Sequence, residues 1–160
     1  MFWPKLTFSE EHRGKTLPQV MFSDPDWFFW AMEQGIFEGR GNLKVEAQDI
    51  YKKARSIRIP QAEGEDLVAE YYIYPILENF SKFEIVPRAR PIHNGGNRCF
   101  RRDVIDMTVV RKMQDYDKLG YKRFIWGIKD YVFRNSDIRM TKRRCEEFFS
   151  NDENFVLPPK

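Results

Sequence analysis

Asp103 and Asp106 are the most enzyme-like pair in this chain, because metal-dependent nucleases hold their cations between carboxylates on adjacent strands. Three residues apart on a strand, they point to opposite faces and do not share a metal. Glu70 or Glu84 would have to complete the set from a neighbouring strand, and the Asp-x-Glu strand of a 3′ exonuclease is absent. Gly14-Lys15-Thr16 invites a phosphate-loop reading, which fails because Ser9 stands where the first glycine belongs. His12 and His93 form no cluster for zinc. Cys99 and Cys145 match no metal-ligand spacing and read as idle thiols in a reducing compartment, with a single disulfide as the alternative. His93-Asn94-Gly95-Gly96-Asn97 is either an anion nest of backbone amides or a plain hairpin connection. These readings lean away from catalysis and call for no metal or cofactor.

Binding chemistry is better represented. Residues 87–144 hold sixteen Lys/Arg against six Asp/Glu, after an acidic stretch over 61–86 with one against six. Arg88, Arg90, Arg101 and Arg102 fall in the first part of the basic block, and Lys142, Arg143 and Arg144 at its end. Arginine suits phosphate because its planar fork bonds two oxygens at once. The other reading is a solvated face with internal pairs to Asp103, Asp106, Glu146 and Glu147.

The elements that must position these groups follow from pattern. At 160 residues, 42% hydrophobic and 32% charged, the chain has the size and composition of one folded domain. No apolar run approaches the roughly 20 residues of a membrane span. Nor does the start have the basic head and apolar stretch of a secretory signal, so the cytoplasm is expected. Trp3 to Phe8 reads as a short strand and Ser9 to Gly14 as its turn. Thr16 with Pro18, then Ser23 or Asp24 with Pro25, open two helices; Trp27, Phe28, Ala31 and Met32 recur at helical spacing, and Gly35 stops the second. Trp27 shares a face with Ala31 and is expected to be mostly buried. Asn42 caps a third helix. Leu67–Tyr74, Lys82–Arg88 and Arg102–Val110 read as strands, joined most simply as an antiparallel meander. Tyr121 to Val132 and a segment from about Thr141 return to the helical period. The expected fold is α+β: a strand-helix unit over 1–58, then a sheet with helices over 59–160, packed as one globule.

Leu6-Thr7-Phe8, Arg13-Gly14-Lys15-Thr16-Leu17 and Asp24-Pro25-Asp26-Trp27-Phe28 with Trp30 resemble the small domain that follows the nuclease in exodeoxyribonuclease X-like proteins. The resemblance covers about residues 4–40 and departs at Ser9-Glu10-Glu11, where the family has a Gly-Lys turn. It implies an accessory role in DNA processing and marks Lys15, Trp27 and Trp30 as interaction residues.

Three functions are therefore in play. The first is a non-enzymatic, nucleic-acid-associated accessory protein of DNA-repair or phage-related background, gripping the phosphate backbone of DNA or RNA with salt-sensitive contacts. The second is a protein-interaction module such as a phage-related inhibitor or adaptor, motivated by the aromatic-rich N-terminus. The third is a cryptic metal-dependent nuclease. No membrane partner is expected, and oligomeric state is open.

Overall fold

The computed structural model describes residues 3–92 and 98–158. The loop at His93–Asn97 lies outside the described residues. In chain order the elements are α1 (Leu17–Ser23), α2 (Pro25–Glu33), α3 (Asn42–Ala54), β1 (Leu67–Ile73), β2 (Phe80–Pro87), β3 (Arg98–Arg102), α4 (Thr108–Met113), α5 (Lys118–Tyr131), α6 (Lys142–Ser150) and a 3-10 turn (Asp152–Asn154). The fold is α+β with a three-stranded antiparallel sheet. Among the described residues no helix is long and apolar enough to cross a membrane.

The N-terminal strand does not form. Pro4 lacks a donor and the chain turns at Ser9 with φ 72°, so Trp3–Phe8 contributes only a bridge from Lys5 to Thr16. The helices that follow start where their caps are. The amide of Thr16 donates to Gln19 Oε1 at 2.9 Å, and the Trp27 amide donates to Asp24 Oδ1 at 3.2 Å, satisfying donors the first turns leave open. Gly35, at φ 68°, ends the second helix in a conformation that favours glycine. Gly41 rather than Asn42 is the cap of α3.

The sheet order is β2-β1-β3, so β1 is central. This corrects the meander: β3 pairs with β1 rather than following β2. Tyr71 lies opposite Phe83 on one side and Phe100 on the other, and α5 lays Phe124 over this aromatic row. The third strand is also earlier and shorter than expected, because only Arg98–Arg102 pairs and the chain leaves the sheet at Asp103. Asp106 then accepts from the amide and hydroxyl of Thr108, at 2.8 and 2.6 Å, and α4 begins. Thr108 to Arg111 are all buried, so this short helix shows no clear alternation of faces in sequence and its β-branched run imitates a strand.

One hydrophobic cluster runs from Trp3 to Phe155 and draws on both 1–58 and 59–160. Its C-terminal part is aromatic: Phe22 of α1 meets Phe148 and Phe149 of α6, and both of these meet Phe155. Lys53 is buried there with its ammonium 2.8 Å from the Phe149 carbonyl and within 3.1 Å of Asp49 and Asp152, which together offset its desolvation. Cys145 is a free thiol, and burial pushes it up to about 12, leaving it inert. Trp27 is half-buried rather than enclosed. The buried side of α2 is formed by Phe28, Phe29 and Ala31, and the Trp27 indole lies at its margin on His12 and Phe37.

At Gly127, α5 comes close enough to the sheet that an added Cβ would lie 2.6 Å from the buried ring of Phe83. Gly127→Ala should gain about 1 kcal/mol of helix propensity. Overpacking costs about 1–3 kcal/mol, and Phe83 is walled in by Tyr71, Phe124 and Tyr131. The clash should win, and urea denaturation of G127A is expected to show a lower midpoint than wild type.

Candidate functional site

The arginines singled out from sequence are mostly engaged with the protein itself. Arg101 donates from Nε to Glu70 Oε2 at 2.6 Å and from its two terminal nitrogens to the carbonyls of Arg88 and Arg90. Glu70 is buried, and Tyr72 also donates to it. Burial alone would raise the Glu70 pKa; the hydrogen bonds from Tyr72 and Arg101 overcome this and hold it below the usual carboxylate range. Arg88 is clamped between Asp66 and Asp103. On α6, Lys142 pairs with Glu146, Arg143 with Glu147, and Arg144 donates to the Arg139 carbonyl. Arg90 and Arg102 are exposed, with Arg102 over the Phe100 ring. The principal contacts of β3 are with β1, and those of α6 are with α1 and the 3-10 turn. These contacts do not bring the two arginine groups together.

The enzyme-like carboxylates also separate. Asp103 is exposed on Arg88, whereas Asp106 is buried as the partner of Thr108. Among the described residues one group, Glu11, His12 and Asp24, lies within metal-ligand reach. The Asp24 acceptors are already used. Asp24 Oδ1 caps α2, and Asp24 Oδ2 lies 3.1 Å from His12 Nε2 and 3.6 Å from Lys118 Nζ. The group therefore reads as a brace between the turn over 9–15, the α1–α2 corner and α5.

That brace lines a cavity of about 590 Å³ between the N-terminal turn and α5. Lys15 stands on one wall. Lys118, Lys122, Trp126 and Lys129 occupy the other at helical spacing, which sets them along one side of α5. The helix is amphipathic, with Tyr121, Phe124, Ile125 and Ile128 buried, so its remaining surface must face water. Trp126 is 55% exposed, far more than Trp3, which is enclosed and donates to Ser150 Oγ. Among the described residues, Lys15, Lys122 and Lys129 have no carboxylate within ion-pair distance. Asp26, the remaining acid of the lining, faces the buried guanidinium of Arg111 at 3.2 Å; burial raises its pKa despite that neighbour. Arg111 is itself held above its ordinary value by its hydrogen bonds to Glu33.

Of the interaction residues marked by the N-terminal motif, Lys15 is on the cleft wall. Trp27 and Trp30 line a shallower recess of about 460 Å³ beside it, with Tyr116 and Lys118. Sequence reasoning passed over Lys118, Lys122, Trp126 and Lys129. Their spacing was the available signal, because i, i+4, i+8 and i+11 mark one side of a helix. No family model, curated protein or solved structure matches the chain, so its own geometry carries the functional argument.

Arg101 and Arg143 should separate cleanly by substitution. Arg101→Met leaves the buried Glu70 carboxylate short of its guanidinium and is expected to cost about 3 kcal/mol or more. Arg143→Met touches an exposed pair and should leave the denaturation midpoint close to that of wild type. A lowered carboxylate stabilises above its unfolded pKa, and that contribution is lost as pH falls through the folded value. The R101M deficit should therefore be largest near neutrality and shrink in acid, as read by urea melts at several pH values.

Proposed function

We propose that this protein is a non-enzymatic, nucleic-acid-associated accessory protein that grips a single strand in the cleft between its N-terminal turn and α5. One observation carries the reading: Lys15, Lys122 and Lys129 are unpaired among the described residues and surround an exposed indole, while the arginine-rich segments are largely neutralised by their own neighbours. Phosphates want unpaired ammonium groups, and bases stack on exposed aromatic faces whatever their identity. Lys122 and Lys129 are two helical turns apart, about 10 Å along the axis. That is the length of about three stacked nucleotides at 3.4 Å each. Of the carboxylates lining the cleft, Asp24 and Asp26 are partnered by His12, Lys118 and Arg111 and oppose a polyanion less than free ones would, whereas Glu11 is exposed. A protein partner is the second reading, supported by the neighbouring recess of Trp27, Trp30 and Tyr116.

Salt distinguishes the two. Three phosphate contacts on a single strand give log K a slope of about −2 against log salt, or roughly twentyfold weaker binding from 50 to 200 mM. Fluorescence anisotropy with a labelled oligonucleotide should show that slope in wild type and a loss of more than tenfold in affinity in Lys122→Glu with Lys129→Glu. Trp126→Ala should weaken binding at every salt concentration without changing the slope, by about 1–3 kcal/mol. Arg143→Glu should leave the titration unchanged. Absence of binding at low salt, or indifference to the lysine reversals, would favour the protein-interaction reading.

A further inference from the structure

The turn joining β1 to β2 carries an apolar apex that the fold leaves uncovered. Ile76 is 91% exposed and Leu77 74%. Tyr74, Pro75 and Glu78 flank them, and the turn is closed by two backbone bonds of 2.9 Å, Tyr74 amide to Asn79 carbonyl and Glu78 amide to Tyr74 carbonyl. Glu78 has φ 54°, a left-handed conformation that non-glycine residues rarely hold, and its carboxylate meets Arg98 at 3.3 Å. The apex is thus a built and cross-braced turn that presents two aliphatic side chains outward.

Its position relative to α5 suggests what it meets. The guanidinium of Arg123 lies over the Tyr74 ring at 5.4 Å, which fixes the base of the apex to α5. Around the helix, Trp126 lies between Arg123 and the cleft lysines Lys122 and Lys129, since residues three apart are surface neighbours. The run from cleft to apex is therefore continuous: ammonium groups, indole, guanidinium, tyrosine, then Ile76 and Leu77. The apex is too small for most alternatives. A stable protein interface buries roughly 800 Å² on each partner, far beyond two side chains. Stable lipid anchoring likewise takes more than a single small apolar insertion. Opening a base step takes one or two aliphatic side chains on a firm support, backed by cations for the flanking phosphates.

We propose that the 74–79 apex is a wedge, with Ile76 and Leu77 entering a base step of the nucleic acid held on the α5 face and unstacking its bases. This rests on the nucleic-acid reading above, and the experiment separates the two. Oligonucleotides carrying 2-aminopurine, single-stranded and duplex, would be titrated with the full-length protein while anisotropy reports binding. Wild type should bind and raise 2-aminopurine fluorescence by about twofold or more as stacking is lost. Ile76→Ser with Leu77→Ser removes side chains the fold does not use, so the variant should keep a wild-type circular dichroism spectrum and bind within about threefold, without the rise. Binding without any rise in wild type, or a rise that survives the double substitution, overturns the wedge and leaves the cleft reading standing. Failure of wild type to bind overturns both. Capture of anionic phospholipid vesicles by wild type but not by the variant, with no rise on oligonucleotides, would assign the apex to membranes instead.

Discussion

Asp24 joins three segments that are distant along the chain, and the cleft depends on that junction. One carboxylate oxygen caps α2 through the Trp27 amide; the other lies 3.1 Å from His12 of the N-terminal turn and 3.6 Å from Lys118 at the start of α5. Loss of a cap alone is worth about 1 kcal/mol. Here the same side chain also orients the wall that carries Lys15 and the helix that carries Trp126. His12 is buried between this carboxylate and the Trp27 indole, at 4.8 Å between ring centres, so the turn is held by packing as well as by hydrogen bonding. Asp117 contributes at the opposite wall by accepting from the Gly120 amide at 2.8 Å, which starts α5 in register with the corner. The corner and the cleft are therefore one construction.

The separation between charge content and charge availability follows from how the sheet is built. With β1 in the centre, Glu70 comes opposite Arg101 on β3 and Glu84 on β2, so the acidic stretch over 61–86 is laid against part of the basic block. Arg101 and Arg88 are absorbed by this arrangement, the first into a buried pair and the second into a surface triad with Asp66 and Asp103. On α6 the pairing is local, because Lys142 and Arg143 each stand four residues before a glutamate. A surplus of positive charge in sequence is thus spent unevenly: on α5, Lys118 faces Asp24, while Lys122 and Lys129 have no carboxylate within ion-pair distance among the described residues.

Local signals were the readable part of the fold. Thr16 with Pro18, Asp24 with Pro25, Gly35 and the Tyr121–Ile128 face each announce an element by signals within a few residues, and each stands where its pattern places it. Non-local pairing was not readable. Val104, Ile105, Thr108, Val109 and Val110 have strand propensity, yet burial on several sides and the hydrogen bonds from Thr108 to the Asp106 carboxylate accompany the turn of the last of them into α4. Strand order likewise depends on which edge of β1 is free once α5 covers β2, and no residue within β3 encodes that. The site followed the same rule. Lys15 was marked by a local motif, but the value of Lys122, Trp126 and Lys129 depends on which carboxylates the fold places elsewhere.

The central claim is that the face between the N-terminal turn and α5, rather than the arginine-rich sheet edge or α6, receives the ligand. Amide and indole chemical-shift mapping of the full-length protein with a short single-stranded oligonucleotide tests it most directly. The chain has four tryptophans, so the indole N–H signals form a small, assignable set. The account predicts that the Trp126 indole and the amides around Lys15, Lys122 and Lys129 shift together in a saturable way, while the Trp3 indole and the amides of Lys142–Arg144 stay in place. Shifts confined to α6 or to Arg101 and Arg102, with Trp126 unmoved, would contradict it.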